Sequence, residues 1–135
     1  MLFSSDTKVE LLRKAPLFAD LSKPELEHLA KSTEDLEVEA GRVLCREGEV
    51  ASEFFVIIEG EAEATKDGKS LSTMGAGEFF GEIGLLRDVP RTATVTAVED
   101  TSLRFLDRTA FLNAVTGHGE ARRAAEDIAS RRLAV

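Results

Sequence analysis

Along the chain the hydrophobic pattern switches from a helical period to a period of two, and back again. Residues 8–14 alternate apolar and polar positions as a short helix would, and the run Pro16-Leu17-Phe18 ends them. Ser22-Lys23-Pro24-Glu25 then has the form of a capping box, with proline in the first turn, where its missing N–H costs little. Leu26, Leu29 and Ala30 follow at helical spacing.

Beyond this helix Leu36, Val38 and Ala40 alternate with Asp35, Glu37 and Glu39, predicting a half-buried strand that Gly41 closes. Residues 42–46 form a second candidate strand before a turn at Gly48. Residues 54–58 are all apolar, which predicts a strand covered on both faces, with Gly60 after it. Ala62 and Ala64 alternate with Glu61 and Glu63, and Asp67-Gly68 is a two-residue hairpin signal with a return strand over 69–74. After the glycine-rich 75–81 come one helical turn at 82–86 and strands at 91–97 and 102–106. Asp107 caps a helix through Val115, Gly117 stops it, and a last helix spans 120–133.

Seven or eight short strands at this spacing predict a closed or rolled antiparallel sheet, mainly β, with helices packed to one side. Its 135 residues make one domain: helices over 1–32, the sheet over 33–106, helices over 107–135. The last helix carries Ala121, Ala125, Ile128 and Leu133 on or near one face; so small an apolar stripe predicts a monomer or a weak homodimer.

Charge narrows the possible ligands. With 25 Asp plus Glu against 17 Lys plus Arg, the formal charge is -8, which argues against a nucleic-acid binder. An anionic ligand would need positive potential concentrated at its own site. The single cysteine, Cys45, cannot form an internal disulfide, which fits a cytoplasmic location. No apolar run approaches a membrane span of roughly 18 residues, and residues 1–7 lack a signal-peptide pattern.

One segment can meet the demand for local positive potential. Gly81 and Gly84 allow a ligand close to the backbone, and the turn at 82–86 offers N–H groups with no partner inside the helix. Pro90 fixes the approach to Arg91, whose guanidinium can grip two phosphate oxygens at once, and Thr92 adds a hydroxyl. Glu82 repels a phosphate, so the anion must also carry a hydroxyl for the carboxylate to accept from. A singly charged phosphate on a ribose with a free hydroxyl meets both requirements.

The motif FGEIGLL…PRTATVTA resembles the phosphate-binding cassette of the cyclic nucleotide-binding domain family, and FFVIIEGEAEA, the hairpin and GAGEF resemble that family's β-roll. The resemblance covers residues 15–134 and implies a jelly-roll-like antiparallel β-roll with a short cassette helix inside 80–97. It further implies that Gly81 and Glu82 hold the ribose 2′-hydroxyl. The amides of Ile83 and Gly84 would hold the cyclic phosphate with Arg91. Thr92 would meet phosphate or base, and Ala64 and Leu71 would line the base pocket. The implied ligand is cAMP more than cGMP, with no other cofactor, and the implied role is a regulatory sensor that moves its C-terminal helices against an effector outside these residues. Many members carry alanine where this chain has Gly84, and several cAMP-selective members carry alanine in place of Thr92.

Other readings fit less well. Residues after 119 are too few for a helix-turn-helix, so a cAMP-receptor-type transcription factor is not expected. Gly75, Gly77 and Gly81 miss the dinucleotide-binding spacing by one place. His28 and His118 have no metal-ligand partner at useful spacing, and no nucleophile–base set is present, so no catalysis is expected. Cys45 reads as a core thiol. The alternative within the same fold is a degenerate roll that mediates protein contact, its pocket filled by its own side chains.

Overall fold

The computed structural model describes residues 9–10, 12–13, 18–19 and 21–116. The last expected helix (120–133), Gly117 and His118 lie outside the described residues, as do Pro16, Leu17 and part of 8–14. Helix α1 (Lys23–Ser32) starts at the capping box: Ser22 Oγ accepts from the Glu25 N–H at 3.3 Å, and Glu25 Oε1 accepts from the Ser22 N–H at 2.9 Å. Its buried face is Leu26, Leu29 and Ala30, as the spacing predicted.

Eight strands follow: β1 (Glu34–Val38), β2 (Val43–Cys45), β3 (Glu53–Glu59), β4 (Glu61–Lys66), β5 (Lys69–Gly75), β6 (Phe79–Phe80), β7 (Thr94–Ala97) and β8 (Thr101–Asp107). Between β6 and β7 lies α2 (Glu82–Arg87), and α3 (Arg108–Thr116) follows β8. They form two four-stranded antiparallel sheets, ordered β1-β8-β3-β6 and β2-β7-β4-β5. The Asp67-Gly68 hairpin is present, both residues at positive φ (51° and 78°), as a type I′ turn requires.

β3 shows why its run is apolar throughout. Phe54, Val56 and Ile58 face a cluster shared with the helices, while Phe55 and Ile57 face the cluster between the two sheets. Phe54 is the centre of the first, its ring 4.7 Å from Phe111 of α3, 5.6 Å from Phe79 and 5.7 Å from Phe18. Replacing it with alanine would cost about 3–5 kcal/mol. Leu85 of α2 belongs to the same cluster, so the short helix and α3 share one core.

Three expectations change. Ala40 is exposed in a turn after β1, and β6 pairs with β3 inside a segment read as loop, because two phenylalanines suffice to bury one face each. β7 begins at Thr94, three residues later than the strand expected at 91. Among the described residues, no helix is long and apolar enough to cross a membrane.

Candidate ligand-binding site

After Phe80 the chain enters α2 through Gly81 at φ 99°. A Cβ there would stand 2.8 Å from the Glu53 carbonyl oxygen and 3.0 Å from Arg91 Nη1, so only glycine fits. No side chain caps the first turn of α2. At its other end Asp88 adopts a left-handed conformation (φ 52°), and the N–H groups of Asp88 and Val89 both donate to the Gly84 carbonyl. Asp88 also accepts a hydrogen bond from Arg108 Nη2 at 2.9 Å, across to the first residue of α3.

Arg91 does not come from a strand. Its N–H donates to the Glu49 carbonyl at 2.8 Å, and its own carbonyl accepts from the Gly48 N–H at 2.9 Å, so the turn before β3 fixes its backbone. That pairing replaces the strand start expected at 91. The side chain, 7% exposed, donates from Nη1 to the Gly81 carbonyl (3.0 Å) and from Nη2 to the Glu53 carbonyl (2.7 Å). A guanidinium has five N–H donors, so two such bonds orient the fork without exhausting it. Glu82, fully buried at 0% exposure, lines the same cavity as Arg91.

These residues line a half-open cavity of about 320 Å³, at the small end of the roughly 300–1,000 Å³ typical of small-molecule sites. All eight residues proposed from the sequence reach it: Gly81, Glu82, Ile83, Gly84, Arg91, Thr92, Ala64 and Leu71. Arg91, Glu82 and the first turn of α2 line it together with the apolar Ala64, Leu71, Met74 and Val95. Such a lining suits a ligand that carries both an anionic group and an apolar one. The described side chains therefore do not fill the pocket, as a degenerate roll would have them do.

Sequence reasoning missed Ser72, Thr73, Glu78 and the cavity role of Cys45. Cys45 is buried, as expected of a core thiol, but it is also Val95's neighbour across β2 and β7, and Val95 is Ala64's neighbour across β7 and β4. That row of side chains forms one wall, and only the strand order reveals it. Burial pushes the Cys45 thiol up from 9.0 to about 11; Arg91 pulls the other way, and Glu53 and Glu82 add to the rise. The thiol is therefore protonated at neutral pH and a poor nucleophile.

The second buried arginine has a different character. Arg104 of β8 donates to Thr33 Oγ1 (2.5 Å), to the Thr33 carbonyl (2.8 Å) and to Asp35, pinning the end of α1 and β1 to β8. It does not line the cavity.

A double-sheet roll holding a buried arginine and an uncapped helical turn against one cavity defines a ligand-binding β-roll domain. The sequence model of the cyclic nucleotide-binding domain matches residues 35–118. The chain belongs to this family. It is 38% identical over 102 residues to the cAMP-dependent protein kinase regulatory subunit of Yarrowia lipolytica, covering 74% of this chain and 27% of that protein. Over 113 residues it is 33% identical to the cGMP-dependent protein kinase of Plasmodium berghei, covering 83% of this chain and 13% of that one. The regulatory domain of Toxoplasma gondii PKA, solved with cAMP, superposes with a TM-score of 0.77 at 31% identity over 82% of this chain and 44% of that one. The chain thus spans about a quarter or less of the length of these curated relatives.

Proposed function

We propose that the cavity binds a 3′,5′-cyclic nucleotide, cAMP in preference to cGMP, and that the domain acts as a regulatory sensor. The observation that carries this reading is Arg91, buried and held by two carbonyls with its side chain on the cavity beside Glu82. In a chain of charge -8 it concentrates the positive potential an anion needs.

In this reading Arg91 and the Ile83 and Gly84 amides hold the cyclic phosphate, and Gly81 and Glu82 hold the ribose 2′-hydroxyl. Thr92 meets phosphate or base, while Ala64 and Leu71 flank the base. The cAMP preference leans on the regulatory subunit and the cAMP-bound structure among the relatives, against the cGMP-dependent kinase. Occupancy is passed on through α3 and the residues after it to an effector such as a kinase, and no reaction is catalysed by the domain. Leu85 and Phe111 share one core, which gives a shift of α2 a direct route to α3. A ligand moves that equilibrium only by binding one arrangement more tightly than the other.

Titration calorimetry with cAMP and with cGMP tests this. Saturable heat with cAMP, and weaker binding of cGMP, is the expected result. Absence of heat from both at millimolar ligand overturns it.

A further inference from the structure

The loop before β3 holds both halves of the cavity's anion-facing end. Gly48 and Glu49 hydrogen-bond the backbone of Arg91, and the Glu53 carbonyl takes its Nη2. Between these anchors lies Ala51, 3% exposed, in the same core cluster as Leu85 of α2. A Cβ built on Gly84 would stand 2.5 Å from the Ala51 Cβ, and 3.1 Å from the Val89 carbonyl oxygen. The Ala51 methyl thus occupies the space that a side chain at position 84 would need.

Helix propensity alone favours alanine over glycine inside α2. Glycine is accommodated there because the methyl sits on the other side of the contact, on Ala51. Its Cβ is fixed to the backbone and cannot swing away, unlike the end of a long side chain.

We propose that Ala51 is a positioning residue for the ligand site: its methyl seats α2 at a set depth against residues 48–53, which also anchor Arg91. One short segment then acts as the gauge between the arginine and the helical turn facing it, although Ala51 is not among the residues lining the cavity. The inference rests on the cyclic-nucleotide reading and extends it to a residue outside the cassette.

The test compares the wild type, Gly84→Ala and the methyl swap Ala51→Gly/Gly84→Ala, each by cAMP calorimetry and thermal melting. Gly84→Ala is expected to weaken cAMP binding by about tenfold or more through overpacking. The swap should return affinity to within about threefold of wild type, because the two positions are in contact and their effects are not additive. The remaining approach to the Val89 carbonyl needs only a few tenths of an ångström of adjustment.

Wild-type affinity in Gly84→Ala, or a swap that binds no better than Gly84→Ala, overturns the proposal. Should Gly84→Ala fail to fold, the swap alone decides: near-wild-type affinity supports the seat, and lost affinity sinks it. If the wild type binds neither cyclic nucleotide, the functional reading fails instead. The seat is then decided by whether the swap recovers the melting temperature that Gly84→Ala loses; failure to recover it sinks the seat as well.

Discussion

Arg91 Nη1 donates to the Gly81 carbonyl at 3.0 Å, and a methyl on Gly81 would sit 3.0 Å from that same nitrogen. The arginine's position and the glycine's bareness are therefore one requirement. Gly81→Ala must take φ 99° as well as the clash, which should destabilise the fold by about 1–3 kcal/mol. By displacing the guanidinium it should also weaken nucleotide binding. Urea unfolding and calorimetry read the two effects, and unchanged affinity in a folded Gly81→Ala protein would show that the guanidinium position is not critical.

The two arginines buried among the described residues, Arg91 and Arg104, should separate function from stability. Arg91→Ala should lower nucleotide affinity by about 2–5 kcal/mol, as when one member of a desolvated charged contact is truncated. Arg104→Met leaves Thr33 polar atoms without their donor, which should lower stability by about 1–3 kcal/mol. It should leave affinity within about twofold. Affinity loss of equal size in both variants would show that Arg91 acts through the fold.

Glu82 is the acid least expected beside a phosphate, and its burial makes its role testable. If its carboxylate accepts from the ribose, 2′-deoxy-cAMP should bind more weakly than cAMP by about 1.5–3 kcal/mol, the worth of a hydrogen bond to a charged group. Equal affinities measured side by side would assign Glu82 a structural role.

Much of this was legible along the chain, for reasons that differ by element. The capping box at Ser22, the apolar run of β3 and the Asp67-Gly68 turn are local signals, and each lies where its pattern placed it. The end of the cavity lined by α2 was legible because Gly81, Glu82, Gly84 and Arg91 are close in sequence. Its far wall was not, because Cys45, Val95 and Ala64 meet only through the pairing of β2, β7 and β4. The turn pairing that takes Arg91 out of the strand is hidden for a similar reason: its partners, Gly48 and Glu49, lie more than forty positions away.

Cys45 gives the cavity a chemical reporter. With its thiol pushed up to about 11, alkylation by iodoacetamide should be slow at pH 7 and rise about tenfold per pH unit between pH 8 and 10. Saturating cAMP should slow it further by occupying the cavity the thiol faces. The same shift bears on stability: the thiol stays protonated in the folded state while the unfolded chain ionises near 9.0. Its contribution is complete below pH 9 and is lost as pH rises through 11. Wild-type stability should therefore fall more steeply than that of Cys45→Ala over this window, and parallel curves would show the thiol to be solvated.

The contact between Asp88 and Arg108 joins the end of α2 to the start of α3, yet two opposing effects meet at Asp88. The Asp88 side chain is largely solvent-facing and that of Arg108 partly so, so the pair should contribute only about 0.2–1 kcal/mol. The left-handed backbone at φ 52° costs a non-glycine residue roughly 1–2 kcal/mol. Asp88→Gly loses the pair but relieves the strain, so stability should change by under about 1 kcal/mol. Asp88→Ala loses the pair and keeps the strain, and should be the less stable of the two by urea unfolding. The ranking should hold in high salt, where the pair is screened and the backbone is not. An alanine variant at least as stable as the glycine one would mean that the backbone at 88 is not strained.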